Sequence, residues 1–304
     1  MKYSAKLCLA GLPLLAISLA AQNNTVVLKR AFVEKYKDRA TIDVGLVVDH
    51  AHKTPNAPVK DGDLHVAGRA PKEVGLPMVA EVMNAAQSGE APTVADIHRV
   101  EGRGVQVPVT GAWRLWFEHP ARQQIQFAAV PVAANTNPAH SFEIHPITQF
   151  DGKDVTGSFV PVAGSKPYDA QTAFGEYEKL MATVSATASA ISISASKANY
   201  NYTEFDMTLE GKPKELGDGG YAVLADVDGE GDESAAYGIR MIFVPGTPPL
   251  QQLLAKNLRQ GDRMHVIGIP RVNLNAISTA VQASEGQPVI GKLPYEMIIV
   301  AAAK

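Results

Sequence analysis

The sequence has few cysteines, few aromatic residues and few charges. Cys8 is the only cysteine among 304 residues, and it lies in an N-terminal apolar run. Once that run is cleaved, disulfides, zinc–thiolate sites and cysteine nucleophiles are excluded. Aromatic residues make up only 7% of the chain, which argues against a carbohydrate-stacking surface along its whole length. The net charge of −3 argues against a broad basic surface that would bind nucleic acid.

The N-terminal segment has the pattern of a signal peptide. Residues 1–6 carry two lysines, residues 7–21 are apolar, and small residues stand at the −3 and −1 positions of a cleavage site near Ala20. A membrane anchor is the alternative, but the run is only about 15 residues long and Pro13 interrupts it. We therefore expect export to the periplasm or the cell exterior, with no transmembrane anchor after cleavage.

Short runs with apolar residues at every second position predict many strands. In the first half, three predicted strands are followed by a polar connection with a short helix over residues 94–99, and then by two more strands. In the second half, residues 250–258 predict a helix between the third and fourth strands. This is the connectivity of the five-stranded OB barrel. The predicted strands are residues 40–48, 63–68, 76–82, 105–117 and 142–150, then 184–193 with 202–209, 221–227, 237–244, 263–272 and 295–301.

The fold class is therefore predicted as mainly β, with two tandem five-stranded OB-like barrels and a connecting helix. Residues 157–167 are rich in Ser, Pro and Gly and mark the boundary, and a helix over 169–182 follows with Asp169 as N-cap. The predicted domains are a signal peptide at 1–21, a first barrel at 25–160, and a helix plus second barrel at 168–304.

Three short motifs in the first half carry a resemblance. They are DGDLHV at residues 61–66, MVAEV at 78–82 and FEIHP at 142–146. Across residues 38–150 the chain resembles a group of uncharacterised, mostly secreted bacterial proteins with Asp-x-Asp-x-His, Met-x-Ala-Glu and Glu-(Ile/Leu)-His-Pro strands. The resemblance implies an OB-like barrel and no established activity. The chain departs from the group at residues 111–116, where GAWRLW replaces Gly-Val-x-Phe-Phe-Asp.

The same motifs contain a candidate site. Side chains of a strand alternate between its two faces, so the imidazole and carboxylate groups of the three motif strands share one face. If the second and third strands form a hairpin that turns near residue 73, His65 comes opposite Glu81. Such a set of side chains could bind a divalent ion such as zinc or manganese, or could act in acid–base catalysis. The alternative is a hydrogen-bonded polar network with no ligand. The candidates are His65, Glu81, Glu143 and His145, with Asp63 or His119 as a further ligand.

Two weaker candidates lie elsewhere. An acidic stretch has the first positions of a calcium loop, formed by Asp226, Asp228, Glu230 and Asp232. Tyr237 stands where such a loop needs a bidentate Glu, and no helix flanks it, so an acidic hairpin is the alternative. Trp113 and Trp116 are candidates for stacking on bases or sugars. They fall on opposite faces of one strand, so at least one of them is expected in the core.

These features favour a non-enzymatic binding or structural module whose partner is a small molecule, a saccharide or a protein. The alternative is a metal-dependent hydrolase, phosphodiesterase-like, that uses the His/Glu set, although the sequence has no H-E-x-x-H, G-x-S-x-G or P-loop pattern. A divalent metal is the one cofactor that the candidate residues suggest.

Overall fold

A computed structural model describes residues 24–86, 89–229 and 234–302. The predicted signal peptide with Cys8, and residues Glu230 and Asp232, lie outside the described residues. The protein is mainly β, with 44% strand and 17% helix.

The helices are α1 (Arg30–Tyr36), α2 (Ala91–Val100), α3 (Ala170–Tyr177), α4 (Pro248–Ala255) and α5 (Leu274–Ala283), with a 3₁₀ turn at Thr156–Ser158. The strands are β1 (Asn24–Lys29), β2 (Thr41–Ala51), β3 (Leu64–Arg69), β4 (Met78–Val82), β5 (Gln106–His119), β6 (Gln123–Ile125), β7 (His140–Phe150), β8 (Lys153–Asp154), β9 (Tyr168–Asp169), β10 (Met181–Ala186), β11 (Ala190–Ala195), β12 (Thr203–Leu209), β13 (Lys214–Glu215), β14 (Tyr221–Asp228), β15 (Ser234–Phe243), β16 (Arg263–Val272), β17 (Val289–Lys292) and β18 (Tyr295–Ala302).

Two closed five-stranded barrels confirm the predicted fold class. In the first barrel the strands follow the cyclic order β2-β3-β4-β7-β5, and β4 pairs with β7 in parallel. In the second barrel the order is β12-β14-β15-β18-β16, and β15 pairs with β18 in parallel. Helix α2 lies between β4 and β5, and α4 lies between β15 and β16. Each barrel therefore has its helix between the third and fourth strands, as in the OB fold.

A third sheet joins segments from both halves of the chain in the order β17-β10-β11-β1-β6. The sequence did not reveal β1, and it predicted one strand over 184–193 where the structure has the hairpin β10–β11. The hairpin turns at residues 187–189, where Thr187 N donates to Ala190 O. That prediction was wrong because the turn contains neither Gly nor Pro, so the alternating pattern continues through it.

The connecting helix forms as α3, and Asp169 caps it by accepting a hydrogen bond from Thr172 N at 2.8 Å. It ends at Tyr177, earlier than predicted, because the chain then enters β10. Helices α1 and α5 were not predicted. Within the described residues, no helix has the length and apolar character needed to span a membrane.

The outer faces of the two barrels meet in a buried junction. Ile267, Ile269 and Ile298 of the second barrel pack in one cluster with Ala112 and Met83 of the first half. Burial of this apolar surface stabilises the contact between the barrels.

The two tryptophans do not form a stacking surface. Trp113 is fully buried and Trp116 is 1% exposed. The Arg271 guanidinium lies 3.6 Å from the centroid of the Trp113 ring, and Trp116 packs edge-to-face on Tyr177 at 5.6 Å. The stacking prediction was wrong because both rings are already covered by other parts of the chain.

Candidate functional site

The predicted pairing of the motif strands is confirmed. His65 lies opposite Glu81 in the β3–β4 hairpin, and the His65 Nε2–Glu81 Oε2 distance is 3.2 Å. The parallel β4–β7 pair places Ala80 beside Ile144, so Glu81 and His145 are neighbours one step further along. The strand register thus brings the side chains of all three motifs together.

These side chains lie on the outer face of the first barrel and are buried by the second half of the chain. Their apolar neighbours Leu64, Ala80 and Ile144 point the other way, into the core. Tyr202, which immediately precedes β12, covers the polar face and belongs to the apolar cluster at the junction. Asp63 and His145 consequently have no exposed surface at all. The site is therefore a feature of the junction between the barrels.

The centre of the site is a group of three ligand-type side chains. Asp63, Glu81 and His145 each offer a ligand atom, and these atoms lie within 4.8 Å of one another. His145 Nε2 is 3.4 Å from Asp63 Oδ2, and His145 Nδ1 is 3.7 Å from Glu81 Oε1. Donors bound at about 2.0–2.2 Å to a tetrahedral ion lie about 3.3–3.6 Å apart. An imidazole binds an ion through one of its nitrogens, so either Asp63 or Glu81 would have to shift around the His145 ring for all three groups to hold one ion.

Backbone and phenol groups hold Asp63 in place. Asn84 N donates to Asp63 Oδ1 at 2.8 Å, and the Tyr202 hydroxyl donates to Asp63 Oδ2. The same hydroxyl oxygen is 2.8 Å from His145 Nε2. Tyr202 therefore connects two of the three central groups.

A third carboxylate, Glu143, supports the centre from the Nδ1 side of His145. Arg114 Nη1 donates to Glu143 Oε2 at 2.5 Å, and His140 Nε2 is 3.0 Å from Glu143 Oε1. Glu143 Oε2 also lies 3.5 Å from His145 Nδ1. A carboxylate behind the second ring nitrogen of a histidine is the usual outer partner of a metal-binding imidazole.

Burial and neighbouring charges perturb the ionisation of these groups. Burial raises the pKa of Glu81 to about 8, although the nearby His145 opposes that change. Burial also disfavours the charged form of His145, but the charge of Glu81 and hydrogen bonds to Asp63 and Glu143 outweigh it and raise the pKa of His145 to about 10. Burial opposes the charge of Glu143 too, yet the Arg114 guanidinium holds the pKa of Glu143 well below its usual range. Groups perturbed in this way are typical of functional sites, and also of structural ion-pair networks.

The structure separates the other candidate residues from this centre. His65 contacts Glu81 at its edge, and its ring stacks on His52 at 4.6 Å. His119 does not join Asp63, Glu81 and His145; it is half-exposed, stacks on His140 at 5.4 Å and faces Glu118. The expectation that His119 is a further ligand was wrong, because it lies at the end of β5, beyond the point where the motif strands meet.

The calcium-loop residues are placed only in part. Asp226 and Asp228 lie at the end of β14, where Asp226 accepts a hydrogen bond from Gly238 N and Asp228 pairs with Arg263. Because the remaining two residues lie outside the described residues, the calcium loop stays a prediction.

Sequence reasoning missed three contributors to the site: Arg114, His140 and Tyr202. A signal for Arg114 was present, since it is a lone charge between Trp113 and Leu115 in an apolar strand. No local signal could have identified Tyr202, because it comes from the other half of the chain and reaches the site only when the barrels pack.

Comparisons with known proteins add little. No family model matches the chain, and no curated protein matches it. The resemblance to secreted barrel proteins therefore stays a prediction. Among solved structures, a deletion mutant of the single-stranded DNA binding protein from Thermus aquaticus aligns over 87% of this chain and 92% of its own, with 7% identity and a TM-score of 0.22. A likeness this weak supports no functional conclusion.

Proposed function

We propose that this chain is an exported, non-enzymatic binding protein that holds a metal ion at the junction of its two barrels. The observation that carries the proposal is the convergence of Asp63, Glu81 and His145, whose ligand atoms lie within 4.8 Å of one another in a fully enclosed position. One imidazole and two carboxylates form a common ligand set for ions such as zinc and manganese.

The charges of the site support a cation. Arg114 already pairs with Glu143, so that carboxylate needs no further counter-ion. Asp63 and Glu81 then share only His145 as a positive partner within the central group. A bound divalent ion would displace the protons of Glu81 and His145 and would supply the positive charge for both carboxylates in the low-dielectric interior.

The hydrolase alternative is less well supported by this geometry. A metal-dependent hydrolase needs an open coordination position that water and substrate can reach. Asp63 and His145 are fully buried and Glu81 is 4% exposed. Enclosure of this kind favours a structural or stored ion over a catalytic one.

Thermal unfolding of the full chain tests the proposal. A ligand that binds only the folded state raises the melting temperature by mass action, so added Zn²⁺ or Mn²⁺ should raise it and EDTA should reverse the change. Asp63→Asn should lose the response, whereas Asp43→Asn, at an exposed carboxylate that accepts a hydrogen bond from Thr110, should keep it. A wild-type melting temperature that responds to no added metal would contradict the proposal.

The export part of the proposal rests on the N-terminal pattern, and it has its own test. Edman sequencing of protein from the producing cell should begin near residue 21 or 22. A mature chain that still begins at Met1 would refute export by cleavage.

A further inference from the structure

A cavity of about 480 Å³ lies on the outer surface of the second barrel and shares no residue with the cluster at the junction. Strands β14 and β15 form its floor, and the chain that connects β12 to β14 forms one wall. Pockets for small ligands enclose roughly 300–1,000 Å³ and combine apolar surface with a few polar groups. The cavity therefore has the size and the mixed lining of such a pocket.

The strand register places the groups of the floor in order. Leu224 of β14 lies opposite Arg240 of β15, and Lys214 of β13 lies opposite Ala222 of β14. Glu210 N donates to Leu224 O at 2.8 Å, so Glu210 continues β12 beside Leu224. Opposed residues of antiparallel strands point to the same side of a sheet, so these side chains share the outer face.

The middle of the floor is apolar. Leu224 is 49% exposed, and its neighbours Ala222 and Val223 also line the cavity. The Arg240 guanidinium beside it already donates to Glu296 at 2.8 Å. A ligand at this point therefore gains most by covering Leu224 with an apolar group.

Two carboxyl groups meet at one end of the cavity. Glu210 lies in the cavity wall and hydrogen-bonds Asp226, which raises the pKa of Glu210. Asp226 also accepts a hydrogen bond from Gly238 N at 3.0 Å. Gly238 has no side chain, and a Cβ at its position would stand 3.9 Å from both carboxyl oxygens of Glu210. The space above the pair is therefore open to a cationic group, which the two carboxyl groups would attract.

Two lysines lie toward the other end. Lys212 and Lys214 are exposed, and neither has an ion pair within the described residues. Lys214 lies opposite Ala222, and Asp226 follows four residues further along β14, a distance of about 13 Å. An extended peptide of three to four residues has about the same length. The acidic end, the apolar middle and the basic end are therefore spaced as the amino terminus, a side chain and the carboxylate of a short peptide.

We propose that this cavity binds a short peptide with free ends, whose amino terminus contacts Glu210 and Asp226 and whose carboxylate contacts Lys212 and Lys214. An apolar side chain of the peptide covers Leu224. The inference goes beyond the proposed function, because no group of the metal site takes part. Binding consists of ion pairs, hydrogen bonds and apolar contact, and it forms no covalent bond.

Isothermal titration calorimetry of the full chain with tripeptides tests the inference. The probes are three tripeptides with leucine, valine or phenylalanine between two alanines, and EDTA is present so that no bound metal contributes. We expect one tripeptide to bind per chain. Acetylation of its amino terminus should weaken binding by about ten-fold, because the cationic partner of the two carboxyl groups is lost. The inference is overturned if none of the three tripeptides binds, or if the acetylated forms bind as tightly.

Substitutions in the cavity locate the binding. Glu210→Gln and Leu224→Ser should each weaken tripeptide binding by at least about five-fold. Glu204→Gln is the matched control, because Glu204 is an exposed carboxylate of β12 that does not line the cavity. All three positions are exposed, so the urea midpoint should stay close to that of the wild type. A Glu210→Gln protein that binds the tripeptide as tightly as the control would overturn the assignment of the site.

The outcomes also separate this inference from the metal site. Glu210→Gln should keep the wild-type response to Zn²⁺ or Mn²⁺, so a chain that binds metal but no tripeptide refutes only the peptide inference. A chain that binds the tripeptide with EDTA present but takes up no metal refutes only the proposed function.

Discussion

The two barrels carry equivalent buried arginine–glutamate pairs on their fourth and fifth strands. Arg114 of β5 lies opposite Glu143 of β7, and Arg271 of β16 lies opposite Glu296 of β18. Both arginines are fully buried. The two pairs therefore occupy corresponding positions in the two barrels.

Each arginine also reaches across the junction. Arg114 Nε donates to Pro270 O at 2.9 Å, and Arg271 Nη1 donates to Trp113 O at 3.0 Å. The acceptor in each case is the residue just before the other arginine. The barrels thus hold each other by a reciprocal pair of charge-assisted hydrogen bonds.

The two pairs differ in what surrounds the glutamate. The second oxygen of Glu296 accepts a hydrogen bond from Arg240 at 2.8 Å, so that carboxylate is enclosed by two guanidinium groups. Glu143 instead faces His140 and His145, which can gain or lose a proton. The same scaffold therefore has a glutamate held by two guanidinium groups in the second barrel and a buried, titratable cluster in the first. The difference between the barrels is therefore that only the first-barrel glutamate is surrounded by histidines, groups that titrate near neutral pH in water.

Breaking the second-barrel pair should have the largest effect on stability. Arg271→Met leaves the fully buried Glu296 with Arg240 as its one remaining ionic partner and removes the hydrogen bonds to the first barrel. We expect the free energy of unfolding to fall by about 3–5 kcal/mol, measured by urea denaturation. Arg263→Met removes an exposed ion pair and should leave the urea midpoint unchanged. Equal effects from both variants would mean that the buried pair has no special role.

Removing the central histidine of the first-barrel cluster should have a smaller effect. His145→Ala removes the group that Asp63, Glu81 and Glu143 share, but the cluster retains Arg114 and Tyr202. In metal-free buffer we expect a loss of about 1–3 kcal/mol in the free energy of unfolding. His50→Ala, which alters a half-exposed histidine 4.0 Å from Glu101, should cost much less. A His145→Ala protein as stable as the wild type would show that the cluster is not a connected network.

The titratable cluster should also make stability depend on pH. The pKa of Glu81 rises to about 8 from an ordinary 4.5, and that of His145 rises to about 10 from 6.5. In both cases the folded state binds the proton more tightly than the unfolded state does. The free energy of unfolding is therefore greatest below the ordinary pKa and falls as the pH rises through the raised pKa. With EDTA present, the free energy of unfolding should decline from about pH 6 to pH 10.

Glu81→Gln isolates one part of this dependence. Glutamine cannot ionise, so the decline through about pH 8 should become shallower. Glu285 is an exposed residue that follows α5, and the control Glu285→Gln should keep the wild-type slope. Wild-type stability that rises over the same interval would contradict the assigned pKa shifts.

The smallest effect is expected at the surface of the second barrel. His265 contacts Asp206 at 3.0 Å and Glu204 at 2.9 Å, but all three side chains are exposed. His265→Ala should change the free energy of unfolding by less than about 0.5 kcal/mol, because solvent screens such pairs. A loss as large as that of His145→Ala would remove the contrast between buried and exposed histidines.

Strand periodicity was enough to predict much of the first barrel and the pairing of His65 with Glu81. Both follow from alternation along a strand and from the hairpin between the motifs, which are local properties. The third sheet was not predictable in this way, because residues 24–29 of β1 pair with residues 190–195 of β11, which are distant in the sequence. The burial of the site was not predictable either, since Tyr202 and Pro270 cover it only after two distant segments pack together.

Metal analysis of the full chain, purified without added metal or chelator, tests the central claim most directly. The account predicts about one metal ion per chain in the wild type and in Asp43→Asn, and a large loss of that metal in Asp63→Asn and in His145→Ala. A wild-type protein that is metal-free and takes up no zinc or manganese on addition would contradict the account. The cluster would then be a hydrogen-bonded network that joins the two barrels.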